Sequence, residues 1–267
     1  MDILKNTIVL IGAGNAATQI GQNLKKKGFV VAQVYSHTLE SAKKLGKSLR
    51  SDYTNQTDEI VPDADIYLFS VKDSVLPELI KRIKPKNGLW LHTAGSIPAD
   101  IFAAAGIKRY GVIYPLQTFS KTRAISFTAI PLFIEANNAD DELFLKDFAS
   151  VLSKKVFFLS SEKREYLHLA AVFACNFTNH IYVNAIEIIE KEGLSKELLI
   201  PLITETANKI KKLNPKEAQT GPAVRYDRNV IDKQLDLLKN DPEKYELYKM
   251  LSEGIYRKSQ LPPAENL

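Results

Sequence analysis

Cysteine is nearly absent from the sequence, and long apolar runs are missing from it. Cys175 is the only cysteine among 267 residues, so the chain cannot close an internal disulfide or supply a cysteine-based zinc site. No apolar run approaches the roughly 18 residues that cross a bilayer, and the N-terminal residues lack the basic and apolar regions of a signal peptide. These absences predict a cytoplasmic protein with no membrane partner.

The basic residues lack the arrangement that is typical of nucleic-acid binding. The formal net charge is +5, but the lysines stand in short clusters at helical spacing, as at 25–27, 43–44 and 211–212. No basic stripe is interleaved with aromatic residues. We therefore expect solvated helix faces and no nucleic-acid partner.

Short β-rich runs alternate with amphipathic segments through the first 160 residues. The runs carry branched or aromatic residues in blocks too short for a helix, which is typical of strands. The predicted strands are residues 7–11, 30–35, 66–71, 89–92, 110–114, 131–135 and 156–159. The predicted helices between them are residues 16–27, 39–48, 74–83 and 140–152. This alternation predicts an α/β fold with a doubly wound, mainly parallel sheet.

After Leu159 the pattern becomes helical. Residues 160–165 supply hydroxyl and acidic groups suited to a helix start, and helical periodicity then continues to about Glu192, just before Gly193. Further helices are predicted at residues 196–213, 228–239 and 242–252. We therefore expect a sheet domain over residues 1–160 and an all-α domain over residues 161–267.

The first predicted strand runs directly into a glycine-rich turn. Gly12 permits a tight exit from the strand, and Gly14 has no side chain to keep a pyrophosphate from the N–H groups at the next helix start. Ala17 takes the third glycine position of the pattern, where a methyl group still allows close helix packing. The alternative is an ordinary glycine-rich turn. We expect a dinucleotide to lie on Gly12, Ala13, Gly14, Asn15, Ala16 and Ala17.

The end of the second predicted strand bears on the choice of cofactor. An NAD site usually carries a carboxylate there, which binds the 2′-hydroxyl group of the ribose, but this sequence reads Tyr35-Ser36-His37-Thr38. Ser36 and Thr38 can donate hydrogen bonds to a 2′-phosphate, and His37 can cap it. We therefore predict NADP (NADPH when reduced), although a polar turn that caps a helix also accounts for the hydroxyl groups.

These motifs resemble those of Rossmann-type NADP-dependent oxidoreductases, in particular pyrroline-5-carboxylate reductase and the 6-phosphogluconate dehydrogenase-like group. The matching segments are residues 11–17, 34–38, 70–73 and 92–96. Through residues 114–119 and 220–222, the whole chain also resembles a subfamily that adds a helical C-terminal domain of unknown function. The resemblance implies that the cofactor is lined by Val71, Lys72, Ala94 and Gly95.

Three positions depart from the pattern of the related proteins. Family members often carry histidine where Tyr114 stands and arginine where His37 stands. Relatives in the wider group often bear a lysine and an asparagine one turn apart on the long helix, and this chain has no lysine there. The departure at Tyr114 argues against a catalytic role of that position. The departure at His37 weakens the assignment of a phosphate site there.

Hydride transfer to a carbonyl or imine requires a group that gives or holds a proton near the substrate heteroatom. Lys72 and His92 fall at the ends of predicted strands, where ligands of open α/β sheets gather, and Gln117 lies just past another. His92 is the best titratable candidate because the pKa of histidine lies near neutrality. The alternative is that each is a loop residue bonded to the backbone.

A polar stripe follows the long predicted helix. His168, Asn176, His180 and Asn184 are spaced by multiples of four through otherwise apolar sequence. If the stripe faces the substrate, Asn176 and His180 are catalytic candidates; the alternative is a stripe that faces solvent or a partner subunit. Because the histidines lie along one helix without a convergent carboxylate, no metal site is predicted.

Together these features predict an NADP-dependent oxidoreductase that acts on a small carbonyl or imine substrate. A small all-α domain can bury the apolar surface of a long helix most readily against a second copy of the chain. We therefore expect a homodimer formed through the helical domain. The alternative function is a non-catalytic NADP(H)-binding sensor or protein-interaction module, because the sequence shows no indisputable catalytic pair.

Overall fold

A computed structural model of the chain describes residues 3–84 and 87–261. The chain forms two compact units, Met1–Asn176 and Phe177–Leu267. The division falls inside the long helical stretch, whereas the expected domain boundary at residue 160 precedes that stretch and stays a prediction. The ends of both expected domains, residues 1–2 and 262–267, lie outside the described residues.

An eight-stranded sheet forms the centre of the first unit. Its spatial order is β3-β2-β1-β4-β5-β6-β7-β8, and every neighbouring pair is parallel except β6 and β7. The strands are β1 (Thr7–Ile11), β2 (Val30–Tyr35), β3 (Asp52–Thr54), β4 (Ile66–Phe69), β5 (Leu89–His92), β6 (Tyr110–Pro115), β7 (Leu132–Ala136) and β8 (Val156–Phe158). The predicted doubly wound, mainly parallel sheet is therefore confirmed.

The central strands are buried on both faces, which explains their continuous apolar sequences. In β4, Leu68 packs into one hydrophobic core, while Tyr67 and Phe69 pack into a second core on the opposite face. Trp90 in β5 joins this second core and contacts both aromatic rings of β4. The strand order reverses between β1 and β4, and ligands of such sheets bind at the carboxyl ends of the strands beside this point.

Helices of the first unit cover both faces of the sheet. They are α1 (Asn15–Lys26), α2 (Leu39–Leu49), α3 (Leu76–Arg82), α4 (Ala139–Leu152) and α5 (Ser161–Ala171). Polar side chains begin the last two: Asn138 accepts a hydrogen bond from the backbone of Asp141, and Ser160 accepts one from Lys163. A π-helical turn, Val172–Phe177, follows α5.

The second unit consists of helices. They are α6 (Thr178–Lys191), α7 (Ile200–Lys209), α8 (Pro215–Ala218), α9 (Pro222–Arg225), α10 (Arg228–Leu237) and α11 (Pro242–Ser259). Lys244 of α11 forms ion pairs with Glu187 of α6 and with Asp241, which caps α11. The predicted all-α character of the C-terminal part is confirmed, and the predicted long helix consists of α5, the π turn and α6.

The described part of the chain holds neither a membrane-spanning helix nor a cluster of three metal ligands. None of its helices is long and apolar enough to cross a membrane. None of its groups of histidine, cysteine, aspartate and glutamate side chains brings together three ligands for a metal ion.

Candidate functional site

The glycine-rich turn joins β1 to α1 at the point where the strand order reverses. Gly12 has a φ angle of +124°, and a Cβ atom there would lie 2.2 Å from the carbonyl oxygen of Ser70. Its N–H donates a hydrogen bond of 2.8 Å to the carbonyl of Tyr35. Both the backbone conformation and the close approach of the loop after β4 therefore require glycine at this position.

Gly14, in contrast, faces open space. A Cβ atom at this residue would meet no atom within 4 Å among those described, and Gly14 directly precedes α1. The first N–H groups of a helix lack partners within the helix and attract anions. Ala17 is fully buried, which fits its predicted role in packing α1 on the sheet. The residues of this turn fit the pyrophosphate of a dinucleotide.

The segment predicted to bind the 2′-phosphate lies at the carboxyl end of β2. Ser36 is half-buried, and its N–H donates to the carbonyl of Thr54 in β3. His37 and Thr38 are exposed, and Thr38 donates a hydrogen bond of 2.8 Å to the hydroxyl of Ser41. The segment contains no carboxylate, so its accessible polar groups suit a phosphate better than a ribose hydroxyl.

The loops after β4 and β5 lie beside the same turn. Ser70 donates its N–H to the carbonyl of Ile11 at 2.7 Å, and Thr93 donates its hydroxyl to that of Ser70 at 3.2 Å. Ser96 in turn donates to the carboxylate of Asp73. These bonds bring together, at one edge of the sheet, the loops that contain Val71, Lys72, Ala94 and Gly95.

His92 lies inside the protein at the end of β5. Its side chain is 0% exposed, Nδ1 accepts from the N–H of Ala94 at 3.2 Å, and Nε2 lies 3.3 Å from the carbonyl of Pro98. Burial, helped by the positive charge of Arg164, lowers the pKa of His92 to about 3. A neutral ring with both nitrogens engaged fits the alternative of a loop histidine bonded to the backbone better than the predicted proton donor.

A buried ion pair lies next to His92. Arg164 of α5 is 1% exposed and pairs with Glu135 of β7 at 2.5 Å. Its other terminal nitrogen donates to the carbonyl of Ile97 and to the hydroxyl of Ser161. Ser161 donates to Glu135 and accepts from the N–H of Ala99. The network fixes the first turns of α5 against β7 and the loop after β5.

One helical turn beyond Arg164, His168 meets Tyr114 of β6. The hydroxyl of Tyr114 lies 3.0 Å from Nδ1 of His168, and the two rings are arranged edge to face. Burial raises the pKa of Tyr114, as does the charge of Asp73, while Arg164 acts in the opposite direction. A Cβ atom at Gly95 would lie 2.5 Å from the His168 ring, so this ring rests directly on the loop after β5.

The remaining predicted catalytic residues lie on different elements of the chain. Lys72 is exposed on the loop after β4. Asn176 is exposed in the π turn at the end of the first unit, and His180 is exposed in α6 of the second unit, where its carbonyl accepts a hydrogen bond from Asn184. The sequence does not indicate that Tyr114 and His168 form a pair, because 54 residues separate them.

A concave region lies at the opposite edge of the sheet, before the amino ends of the strands. It is lined in part by Asp63, Asp65 and Arg109. Arg109 is already paired with Asp141 at 2.5 Å. Because sheets of this type bind ligands at the carboxyl ends of their strands, the site is better placed at the glycine-rich turn.

Two family models match the chain. Residues 7–90 match a family described as NADP oxidoreductase, coenzyme F420-dependent, and residues 130–255 match a domain of unknown function, DUF2520. The first match covers the glycine-rich turn, the segment after β2 and the loop after β4. The second covers β7, α5 and most of the second unit.

Solved structures resemble the chain over nearly its full length. A "putative NADP oxidoreductase" from Bacteroides fragilis is 48% identical, with a TM-score of 0.93, over 96% of this chain and 100% of the other. A reductive aminase from Aspergillus terreus, in complex with NADPH and ethyl levulinate, is 13% identical with a TM-score of 0.72, over 94% and 93%. A 1-pyrroline-5-carboxylate reductase from Streptococcus pyogenes is 14% identical with a TM-score of 0.62, over 96% and 98%. The last two show the fold alone.

Proposed function

Because this chain belongs to the family that joins an NADP oxidoreductase domain to a DUF2520 domain, we propose that it is an NADP(H)-dependent reductase of small carbonyl or imine compounds. The turn carries this proposal: Gly12 is fixed against Ser70, and Gly14 leaves space before α1. A pyrophosphate at that position accounts for the open space at Gly14, directly before the first N–H groups of α1.

The proposed substrate class rests on the kinds of enzyme that share the fold. The names of two of them describe a reductive amination and the reduction of a cyclic imine. NADPH, when bound, supplies a hydride to an electrophilic carbon. Lys72, Asn176 and His180 stay candidates for substrate contact, because all three are exposed.

We propose NADPH rather than NADH as the reductant. Ser36, His37 and Thr38 offer hydrogen-bond donors and no carboxylate at the carboxyl end of β2, so a 2′-phosphate meets no like charge within this segment. Val71, Lys72, Ala94 and Gly95 are proposed to continue the cofactor site, because their loops are bonded to each other and to the glycine-rich turn.

A homodimer through the helical domain also stays a proposal. Among the described residues of the second unit, only two apolar side chains are buried, Ala223 and Ile231. Several large apolar side chains of this unit are instead at least 60% exposed, among them Leu198, Leu202 and Leu237. A second copy would remove such surface from water. Sedimentation at micromolar concentration should show a dimer, and a monodisperse monomer would count against it.

Cofactor binding is tested by thermal shift with NADPH, with NADH and without ligand. We expect NADPH to raise the melting temperature more than NADH does, because only NADPH carries the 2′-phosphate. A larger shift with NADH would oppose the assignment of Ser36, His37 and Thr38. Turnover is then screened with keto acids, aldehydes and cyclic imines. If NADPH binds tightly but is not oxidised with any of these compounds, the result would favour a non-catalytic sensor.

A further inference from the structure

The contact between Tyr114 and His168 lies at the loop proposed to line the cofactor. We propose that His168 is the catalytic proton donor of this reductase and that Tyr114 positions its ring. The inference rests on the proposed function, and it adds the residue that completes the reduction. Its basis is the 3.0 Å contact between the Tyr114 hydroxyl and Nδ1, together with the contact between the ring and Gly95.

Gly95 brings the His168 ring next to the loop backbone. A Cβ atom at residue 95 would lie 2.5 Å from both Cγ and Nδ1 of the ring, closer than any normal contact. The close packing is therefore possible only with glycine at this position. Because Ala94 and Gly95 are proposed to line the cofactor, the His168 ring lies beside the proposed cofactor site.

The helix that carries His168 is fixed in place by buried polar groups. Ser161, Arg164 and His168 are spaced by three and four residues, which puts them on one face of α5. The first two belong to the network with Glu135, the carbonyl of Ile97 and the N–H of Ala99. This network holds α5 against the loop that also carries Gly95, so the ring is positioned before any ligand binds.

The hydroxyl of Tyr114 can keep its hydrogen bond to Nδ1 of His168 in both protonation states of the ring. It is 8% exposed, and its raised pKa keeps the hydroxyl neutral. A neutral hydroxyl accepts a hydrogen bond from Nδ1–H of the ring, both when the ring is charged and after Nε2 has given up its proton. The charged groups that act on Tyr114 are Arg164 and Asp73, which have opposite effects on its pKa.

The other ring nitrogen is suited to the substrate. Within the residues that the structure describes, Nε2 of His168 makes no hydrogen bond, and the side chain is half-buried rather than enclosed. His92 differs in both respects, because its two nitrogens are bonded and its ring is fully buried. Of these two histidines, only His168 has a nitrogen that can give a proton to a ligand.

The proton transfer completes a balanced reduction. As a hydride reaches the substrate carbon, the electron pair of the carbonyl or imine bond becomes a lone pair on the heteroatom. That lone pair takes the proton from Nε2 of His168, and the ring becomes neutral while Nδ1–H still donates to Tyr114. The product is an alcohol or amine, and the ring regains its proton from solvent.

The test compares two pairs of variants of the full chain. His168→Gln removes the proposed donor, and Glu165→Gln is its control at an exposed position of the same helix. Tyr114→Phe removes the hydroxyl that positions the ring, and Tyr166→Phe is its control, because Tyr166 is 70% exposed. Each is measured for NADPH affinity, for kcat and kcat/KM against pH, and for the ¹⁵N shifts of the imidazole rings without cofactor.

We expect His168→Gln to lower kcat by about 100-fold or more, the usual contribution of a positioned acid, and to change the pH profile of kcat/KM. NADPH affinity should stay close to that of the wild type. Tyr114→Phe should lower kcat about tenfold, as expected for one lost hydrogen bond, and shift the ¹⁵N signal of Nδ1 in His168. Both controls should leave these quantities unchanged.

Different results overturn the two proposals. If NADPH binds to the wild type and turns over, but His168→Gln keeps full activity with an unchanged pH profile, the role of His168 is wrong and the reductase function stands. If Tyr114→Phe leaves the His168 ring signals unchanged, the positioning role of Tyr114 is wrong. If the wild type binds NADPH but reduces nothing, the proposed function itself fails.

Discussion

The same substitution at two glycines of the turn should have opposite consequences. Gly12→Ala places a methyl group 2.2 Å from the carbonyl oxygen of Ser70, at a φ angle of +124°. Gly14→Ala places a methyl group in open space, at a φ angle of −75° and a ψ angle of −170° that alanine readily adopts. The first variant therefore perturbs folding, and the second perturbs ligand binding.

The magnitudes follow from these two environments. At Gly12, a strained backbone costs about 1–3 kcal/mol, and an atom forced into a packed site costs about 1–3 kcal/mol more. The free energy of unfolding should fall by about 2–6 kcal/mol, which lowers the melting temperature on the order of 10 °C. At Gly14, the stability should stay the same or rise by up to about 1 kcal/mol, because alanine restricts the unfolded chain.

Thermal unfolding and NADPH titration separate the two effects. We expect Gly12→Ala to unfold at a clearly lower temperature than the wild type, and Gly14→Ala to unfold at the wild-type temperature but to bind NADPH at least about tenfold more weakly, since its methyl group occupies the proposed pyrophosphate space. A Gly12→Ala protein as stable as the wild type would refute the steric reasoning. Unchanged NADPH affinity of Gly14→Ala would refute the pyrophosphate site.

Three further predictions concern substitutions at Glu135, Gly95 and His92. Glu135→Gln leaves the enclosed guanidinium of Arg164 without its carboxylate and should cost about 3 kcal/mol in chemical denaturation. Gly95→Ala should displace the His168 ring and change its imidazole NMR signals without any ligand. His92 is neutral when folded, with a pKa of about 3, but takes up a proton near pH 6.5 when unfolded. Stability should therefore fall by about 1.4 kcal/mol per pH unit between pH 6 and 4, and His92→Gln should remove this component.

Each of these predictions has a matched control or a contrary outcome. Glu78→Gln breaks an exposed ion pair with Lys81 and should leave stability unchanged, so an equal effect at both glutamates would contradict the importance of burial. An unshifted His168 signal in Gly95→Ala would contradict the close packing of the ring. If His92→Gln follows the same pH dependence as the wild type, His92 is not the buried neutral group described above.

Much of the sheet domain could be predicted because its local sequence signals agree with its packing. The apolar run of β1 and the glycines after it predict a strand, a turn and a helix, and all three are confirmed. Strand β3 (Asp52–Thr54) was missed, because three residues at the sheet edge, two of them exposed, carry no apolar pattern. The π turn was also missed, since its residues have the periodicity of the helices around it.

The candidate site was less accessible to sequence reasoning, because its contacts join distant parts of the chain. The sequence favours His92 as a titratable group at a strand end, but its burial beside Arg164 depends on a residue 72 positions later in the chain. His168 was visible only as part of a polar stripe. Its contacts with Tyr114 and Gly95 arise from the packing of α5 on β6 and the loop after β5, which local patterns do not specify.

We propose above that this protein reduces carbonyl or imine compounds with NADPH, and isotope transfer tests this reaction directly. We would incubate the protein with NADPH that carries deuterium at both C4 positions of the nicotinamide and with a panel of keto acids, aldehydes and cyclic imines, followed by mass spectrometry of the products. We expect one deuterium on the former carbonyl or imine carbon of at least one compound, with less transfer from deuterated NADH. Tight NADPH binding with no deuterium in any product would contradict it.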